Sequence, residues 1–323
     1  MRQGKLTVTR FSIVITCYNQ RHFIDDAVNS ALQQNPRLRE IIVVDDGSSD
    51  ASASLIQQYK GSIEFIQLRE NIGPTEARNQ GAARATGEYL VFLDGDDGLM
   101  PWALDVYDRL IIERKPKVIL ARSRWITGTM PEIAAEEFPR TIEFAEYRNL
   151  IRKDRSAGLS ASAYIVDRRL FWSVGGWTPG IFQLDLQDLS TKLGFESVIL
   201  IRSPRTVFYR IHEHNTILNV PPFVTNLYRL LERERAGIYP GGKENRFIRE
   251  AWFGGLILFW VRRAWKAGFR KSALRLAFRT CRMIAAAVLR RSFIRIAGRQ
   301  PIEAFAFDWT PQANPQPRRL IDR

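Results

Sequence analysis

Three carboxylates, Asp94, Asp96 and Asp97, fall within four residues where the apolar run Tyr89-Leu-Val-Phe-Leu93 ends. Like charges at that spacing repel, and each is costly to hold beside a hydrophobic strand unless a cation sits among them. Oxygen-only donors suit a hard divalent ion, Mg2+ or Mn2+, which keeps several waters and completes its shell with phosphate oxygens. The plainer reading is a turn, because Asp-Gly is a common turn pair. Taken alone, Asp-Gly-Asp-Asp fits both, so the surrounding elements must decide between them.

Those elements alternate at short intervals. Phe11–Thr16, Glu40–Asp45, Ile63–Leu68 and the run ending at Asp94 read as strands, with a further strand over Lys117–Trp125. Between them, His22–Gln34, Asp50–Tyr59, Thr75–Arg84 and Trp102–Ile112 read as helices. Ser48 or Ser49 is the expected N-cap of the second helix, and Pro74 and Pro101 open the third and fourth. This order predicts an α/β fold, a mostly parallel sheet with helices on both faces. Thr16, Asp45 with Asp46, and Asp94 with Asp96 all stand at the carboxyl ends of strands, the edge where open α/β sheets bind ligands. No Gly-x-Gly-x-x-Gly follows the first strand, which disfavours a dinucleotide and favours a single nucleotide with a metal-bound diphosphate.

Four stretches carry a family likeness: Ser12-Ile-Val-Ile-Thr-Cys-Tyr-Asn19, Glu40-Ile-Ile-Val-Val-Asp-Asp-Gly-Ser-Ser-Asp50, Asn71-Ile-Gly-Pro-Thr-Glu-Ala-Arg-Asn-Gln-Gly81, and Gly87-Glu-Tyr-Leu-Val-Phe-Leu-Asp-Gly-Asp-Asp97. In this order and spacing the chain resembles an inverting family 2 glycosyltransferase of GT-A fold. The resemblance is strong over about residues 11–98 and fainter to about 217. It implies a GT-A domain over residues 1–217 and transfer of a hexosyl-type group from a nucleoside-diphosphate sugar, with uridine as the base, to an acceptor hydroxyl. The setting it implies is the assembly of surface polysaccharide or glycolipid, with a glycan or lipid-linked acceptor. Thr16, Asp45 and Asp46 would hold the nucleotide, and Asp94, Asp96 and Asp97 would form the metal-binding D-x-D region, with Asp94 also touching the donor. Arg78 would lie near the diphosphate, and His212, in Tyr209-Arg-Ile-His212, would reach the metal or diphosphate.

The chemistry of such a transfer loads charge onto the leaving diphosphate, where a metal and an arginine stabilise the transition state more than the ground state. Inversion then needs one base to take the proton from the acceptor hydroxyl. By the resemblance, Gly175, Gly176 and Trp177 supply a turn that shapes the acceptor pocket, and the base is the Asp of a Glu-Asp pair. The segment Leu184-Asp-Leu-Gln-Asp-Leu-Ser-Thr-Lys192 departs from that pattern and allows two registers. In the favoured one, Gln187-Asp188 replaces Glu-Asp and Asp188 is the base. In the other, Asp188-Leu189 and Lys192 take the later Asp-Leu and Arg positions, so Asp185 falls on the Glu and Leu186 on the Asp.

Composition adds a compartment and a second region. Cys17 and Cys281 lie in no metal-ligand or redox spacing, which points to a reducing compartment and leaves Cys17 a packed thiol. The longest uncharged apolar run, Ala251 to Val261, falls short of the ~20 residues of a spanning helix, and no apolar leader opens the sequence. A cytoplasmic protein is expected. Of the net charge of +14, most comes from the 12 basic residues between Arg262 and Arg299, a stretch without an acidic one. Residues 218–323 therefore read as a helical, basic amphipathic region with interleaved aromatics, suited to the anionic inner face of the cell membrane. No recognition motif supports nucleic acid as the partner. Two rival functions share these features. A nucleotidyltransferase making activated sugars would carry a glycine-rich loop with a basic residue where this chain has Cys17-Tyr-Asn-Gln-Arg21. A non-catalytic membrane or nucleic-acid adaptor on a transferase fold would not need the intact Asp94 and Asp96.

Overall fold

Strand β1 (Phe11–Cys17) is buried at every residue, which requires a sheet covered on both faces. The computed structural model describes residues 10–131, 140–144, 160–194, 196–213, 220–296 and 304–305. After β1 come α1 (Ile24–Leu32), β2 (Arg39–Asp45), α2 (Ser52–Gln57), β3 (Glu64–Gln67), α3 (Pro74–Arg84) and β4 (Tyr89–Asp94). Next are β5 (Gly98–Leu99), α4 (Ala103–Arg114), β6 (Val118–Ala121), β7 (Ser123–Ile126), β8 (Arg140–Phe144), β9 (Tyr164–Asp167) and α5 (Arg168–Ser173). The chain continues through α6 (Asp185–Lys192), β10 (Val198–Ser203), β11 (Val207–Arg210), α7 (Val220–Arg235), α8 (Arg246–Lys266), α9 (Arg270–Arg279), α10 (Cys281–Ile296) and β12 (Ala304–Phe305).

The main sheet has the order β12-β8-β10-β6-β9-β4-β1-β2-β3. Its half β3, β2, β1 and β4 is parallel throughout, as the alternation of strands and helices predicts. β9 enters antiparallel between β4 and β6. A small second sheet, β5-β11-β7, stands beside it. The two-residue period of the strands sorts the core. Ile13, Ile15, Val43 and Val91 pack with Val28 of α1 and Leu104 of α4 on one face. Val14, Val44, Leu90 and Phe92 pack with Ala77 of α3, Phe171 of α5 and Leu189 of α6 on the other.

Three local expectations change. Lys117–Trp125 is two strands in two sheets: β6 is buried throughout and stays in the main sheet, whereas the half-exposed β7 crosses to pair with β11. Ser48 and Ser49 do not cap α2, which begins after Ala51 without a side-chain cap. Instead Ser48 Oγ accepts the Asn19 N–H at 2.9 Å and the Ser49 N–H donates to Asn19 Oδ1 at 2.8 Å, tying the loop after β2 to the loop after β1. Pro221 and Pro222, read as the end of the catalytic pattern, lie in the first turn of α7, where proline is tolerated. The expected boundary at 217/218 and Arg299 lie outside the described residues.

The C-terminal helices build a third core that is continuous with the first two-thirds of the chain. Ile181 and Leu184, from the loop before α6, pack with Leu227 and Leu231 of α7, Phe253 and Ile257 of α8, Leu276 of α9 and Met283 of α10. Polar ties reinforce it: Arg249 of α8 holds Glu234 of α7 at 2.7 Å.

Candidate active site

Parallel pairing sets the site's position. Thr16 pairs with Val44 on one side and Asp94 on the other, and Cys17 pairs with Asp45, so the carboxyl ends of β1, β2 and β4 meet at one edge. A cleft of about 2230 Å3 opens there, lined by Thr16, Asp46, Arg78, Asp94, Asp96 and Asp185 among others. Asp46 accepts the Ile72 and Gly73 N–H groups at 2.8 and 3.0 Å and so anchors the loop that leads into α3. Burial raises its pKa. Asp45, one residue back, is fully buried, accepts the Ser48 N–H at 3.2 Å and does not line the cleft. The Cys17 thiol is buried and its pKa is pushed up to about 12, as a packed thiol requires.

The acidic turn after β4 divides its labour. Asp94 and Asp96 line the cleft. Asp97 stands behind them, 1% exposed, accepting the Ser160 and Ser162 hydroxyls at 3.0 and 2.6 Å and the Arg210 N–H at 3.1 Å. Each of the three still offers an oxygen, and these lie within 4.8 Å of one another. Burial, followed by the charges of Asp96 and Asp94, pushes Asp97 well above the usual carboxylate range. Burial also raises Asp94 despite Arg78 beside it. A hard divalent cation fits such a set by its oxygen donor chemistry.

Arg78 is not poised alone over a diphosphate. Its Nη2 donates to Asp94 at 2.7 Å and its Nη1 to Asp185 at 2.6 Å, with the guanidinium carbon 5.1 Å from the centre of the Trp177 ring. Burial opposes the charge, but the two carboxylates hold the pKa above its ordinary value. The Gly-Gly-Trp turn serves this bridge and does not line the cleft. Trp177 is fully buried against Phe92 and Phe171, and Asn79 clips its backbone through bonds of 2.8 and 3.0 Å. Gly175 and Gly176 take φ of 83° and 59°, and a Cβ on Gly176 would stand 2.9 Å from Asn79 Oδ1. The expectation that these three residues shape an acceptor pocket therefore gives way to a support beneath Arg78.

Helix α6 separates its two candidate bases. Asp185, at its first turn, faces the cleft, and among the described residues its Oδ1 accepts no hydrogen bond. Asp188 is fully buried and engaged on both oxygens. Thr178 donates to it at 2.5 Å and Lys192 pairs at 3.1 Å on Oδ2; Tyr239 donates at 2.7 Å and Arg233 at 3.0 Å on Oδ1. The Asp188–Lys192 pair, one turn apart, matches the register in which Leu186 takes the Asp position. Leu186 lines the cleft with no proton-accepting atom.

His212 stands beside the acidic turn. Its Nε2 is 2.9 Å from Asp96 Oδ2 and its ring lies 4.9 Å from Phe23, on the cleft wall. Two contributors escape the sequence reading. Arg210, 2% exposed, donates to the Asp96 carbonyl at 2.9 Å and to Asp26 at 2.7 Å, locking the acidic turn. Its signal was a lone cation ending the apolar run Thr206–Tyr209. The second is α8, which lines the cleft through Trp252, Leu256 and Phe259; its signal was the Gly254-Gly255 pair inside a helix.

Residues 12–175 match the family described as Glycosyl transferase family 2. Over 89 residues the chain is 42% identical to TuaG of Bacillus subtilis (strain 168), named for teichuronic acid biosynthesis, covering 27% of this chain and 35% of that protein. Over 103 residues it is 33% identical to the cholesterol galactosyltransferase of Borreliella burgdorferi, covering 31% of this chain and 29% of that one. The chain thus spans about a third of the length of these curated relatives. A crystal structure of S. aureus TarS 1–349 in complex with UDP-GlcNAc superposes with a TM-score of 0.59 at 19% identity, covering 76% of this chain and 71% of that chain. That likeness bears on the fold alone, and the fold is the GT-A architecture expected from the four motifs.

Proposed function

Because the chain belongs to glycosyl transferase family 2, we propose that it moves a sugar from a nucleoside diphosphate to an acceptor hydroxyl with inversion, in surface polymer or glycolipid assembly. The observation that carries this reading is the Arg78 bridge, which ties Asp94 at the end of β4 to Asp185 on α6 within one cleft. Uridine as the base is supported by the motifs. The relatives' names, one in teichuronic acid biosynthesis and one a cholesterol galactosyltransferase, support a glycan or lipid-linked acceptor.

Each residue then has a task. Thr16 and the loop anchored by Asp46 receive the nucleotide. Asp94 and Asp96, with Asp97 behind them and His212 beside Asp96, would hold Mg2+ or Mn2+. Such an ion, when bound, neutralises charge gathering on the departing diphosphate. Arg78 fixes the spacing of Asp94 and Asp185. The acceptor oxygen attacks the anomeric carbon as the carbon–oxygen bond to the diphosphate breaks on the opposite face, and its proton passes to Asp185. Asp188, preferred from sequence, is excluded from this task because no acceptor reaches a carboxylate already bound by four groups.

The same reading puts the chain in the cytoplasm, at the inner face of the membrane. Among the described residues no helix is long and apolar enough to cross a membrane. On α9 and α10, Leu274, Phe278, Val288 and Leu289 are at least half exposed beside Arg275, Arg279 and Arg282, a combination suited to an anionic bilayer surface.

A panel of nucleotide sugars, assayed for release of nucleoside diphosphate with and without Mg2+ or Mn2+, tests the proposal. One donor should turn over only with metal, and Asp96→Asn and Asp185→Asn should each lower transfer by roughly 100-fold or more. Full turnover in chelator, or wild-type transfer by either variant, would refute the assigned roles.

A further inference from the structure

The cleft is larger than a donor needs. Its volume of about 2230 Å3 exceeds the roughly 300–1,000 Å3 of an ordinary small-ligand pocket, and the remainder runs along α8. That helix enters the lining on more than one face, Leu258, Val261 and Trp265 included, and within it Trp252, Gly255, Leu256, Phe259, Arg263 and Lys266 form one stripe at 3.6 residues per turn. The stripe is apolar for its first two turns and basic at its end. Phe253, Ile257 and Ala264 turn away from it into the helical core. Arg262 and, from α10, Arg290 add to the basic end.

Two adjacent glycines show that the apolar part is a groove. A Cβ on Gly254 would stand 1.9 Å from the Met283 carbonyl oxygen, so packing of α8 on α10 requires its absence. A Cβ on Gly255 would meet nothing within 4 Å. A glycine inside a helix is destabilising relative to alanine, and among the described residues no packing contact explains this second one. Bare backbone facing a cleft allows a ligand to approach closely. Phe259 is 56% exposed on the same wall.

We infer that the groove on α8 seats a lipid phosphate: a hydrocarbon chain lies on Trp252, Gly255, Leu256 and Phe259, and its anionic phosphate meets Arg262, Arg263 and Lys266. This rests on the sugar-transfer reading and names the acceptor's class, a hydroxyl-bearing group carried on a lipid phosphate, since Asp185 lines the same cleft and that hydroxyl must reach it. Charge complementarity decides between this occupant and a neutral lipid, because no acidic residue occurs between Arg262 and Arg299. The apolar turns decide between it and a free polyanion, which would leave the half-exposed Phe259 facing water.

Farnesyl phosphate, farnesol and inorganic phosphate are the probes, each titrated by equilibrium dialysis without donor against the full chain. Farnesyl phosphate should bind at least about tenfold more tightly than either fragment, a difference of about 1.4 kcal/mol. Gly255→Trp, which places an indole in the open space, should weaken it by about tenfold or more, and Phe259→Ala and Lys266→Glu should weaken it severalfold. UDP binding and the unfolding temperature of these variants should match the wild type, which separates a blocked groove from a damaged fold. Equal binding of farnesyl phosphate and inorganic phosphate, or unchanged affinity in both Gly255→Trp and Phe259→Ala, overturns the inference while leaving the sugar-transfer reading intact. Binding of farnesyl phosphate by a chain that binds no UDP and hydrolyses no nucleotide sugar would instead refute the sugar-transfer reading.

Discussion

Replacing Asp188 with asparagine removes one charge and almost no volume, so its effect isolates the buried polar cluster from simple packing. Lys192 and Arg233 both pair with this carboxylate, and their side chains are 5% and 23% exposed. Breaking a buried ion pair by removing one partner is destabilising by about 3–5 kcal/mol, because the remaining charge stays out of water. At roughly 2–4 °C per kcal/mol for a chain of this size class, the unfolding temperature should fall by roughly 6–20 °C. Turnover per folded molecule, measured well below that temperature, should stay within a few-fold of wild type, since Asp188 does not line the cleft. Asp185→Asn should show the opposite pattern. Arg78 keeps Asp94 as partner, so the loss of stability is smaller, whereas loss of a general base removes roughly 100- to 10,000-fold in rate. Paired thermal unfolding and single-turnover measurements read both axes. An Asp188→Asn protein of wild-type stability with abolished transfer would refute the assignment of roles on α6.

Two further outcomes follow from other parts of the molecule. Glu40 accepts hydrogen bonds from Ser12, Thr86 and Gly87; burial opposes its charge, yet these donors hold its pKa below the ordinary 4.5. The folded value being the lower, the stability Glu40 contributes is present above about pH 4.5 and is lost as pH falls through the folded value. Denaturant midpoints between pH 3 and 5 should therefore depend less on pH in Glu40→Gln, and an identical slope would contradict the sign. At the basic helices, the protein should sediment with anionic vesicles, hardly with neutral ones, and be released as the Debye length shrinks from about 8 Å at 0.15 M to about 3 Å at 1 M salt. Equal sedimentation with neutral vesicles would show that α9 and α10 do not bind through charge.

The parallel half of the fold was legible because its signals are local. Runs such as Ser12–Thr16 and Glu40–Asp45 are too apolar for anything but a covered strand, and Pro74 opens α3 where helix geometry tolerates it. The edge where Thr16, Asp46 and Asp94 gather follows from parallel pairing alone. The roles on α6 could not be read the same way. Asp185 and Asp188 are three residues apart, about 60° around the helix, so spacing places both on one side. What separates them is Arg233 and Tyr239, which arrive 45 and 51 residues later to enclose Asp188. Trp177 misled for a related reason. The resemblance places the Gly-Gly-aromatic turn at the acceptor pocket, but Phe92 and Phe171 close over the ring and Arg78 lies across it. The charge of residues 262–299 was plain, but a count of basic residues does not reveal that the same helices share a core with Ile181 and Leu184.

The Arg78 bridge also has a meaning for how this molecule could be recombined. The stretch that matches the family ends at residue 175, and Arg78 lies inside it while Asp185 lies beyond. A single guanidinium therefore joins Asp94, inside the family-matched stretch, to Asp185 beyond its end. A chimera that grafts a foreign segment after residue 175 must deliver a carboxylate to within about 3 Å of Arg78, the reach of a charged hydrogen bond. A graft without one would leave a buried cation with Asp94 alone. Interchange at this point is thus restricted to segments that agree on the position of one oxygen atom, however different the rest of their sequence.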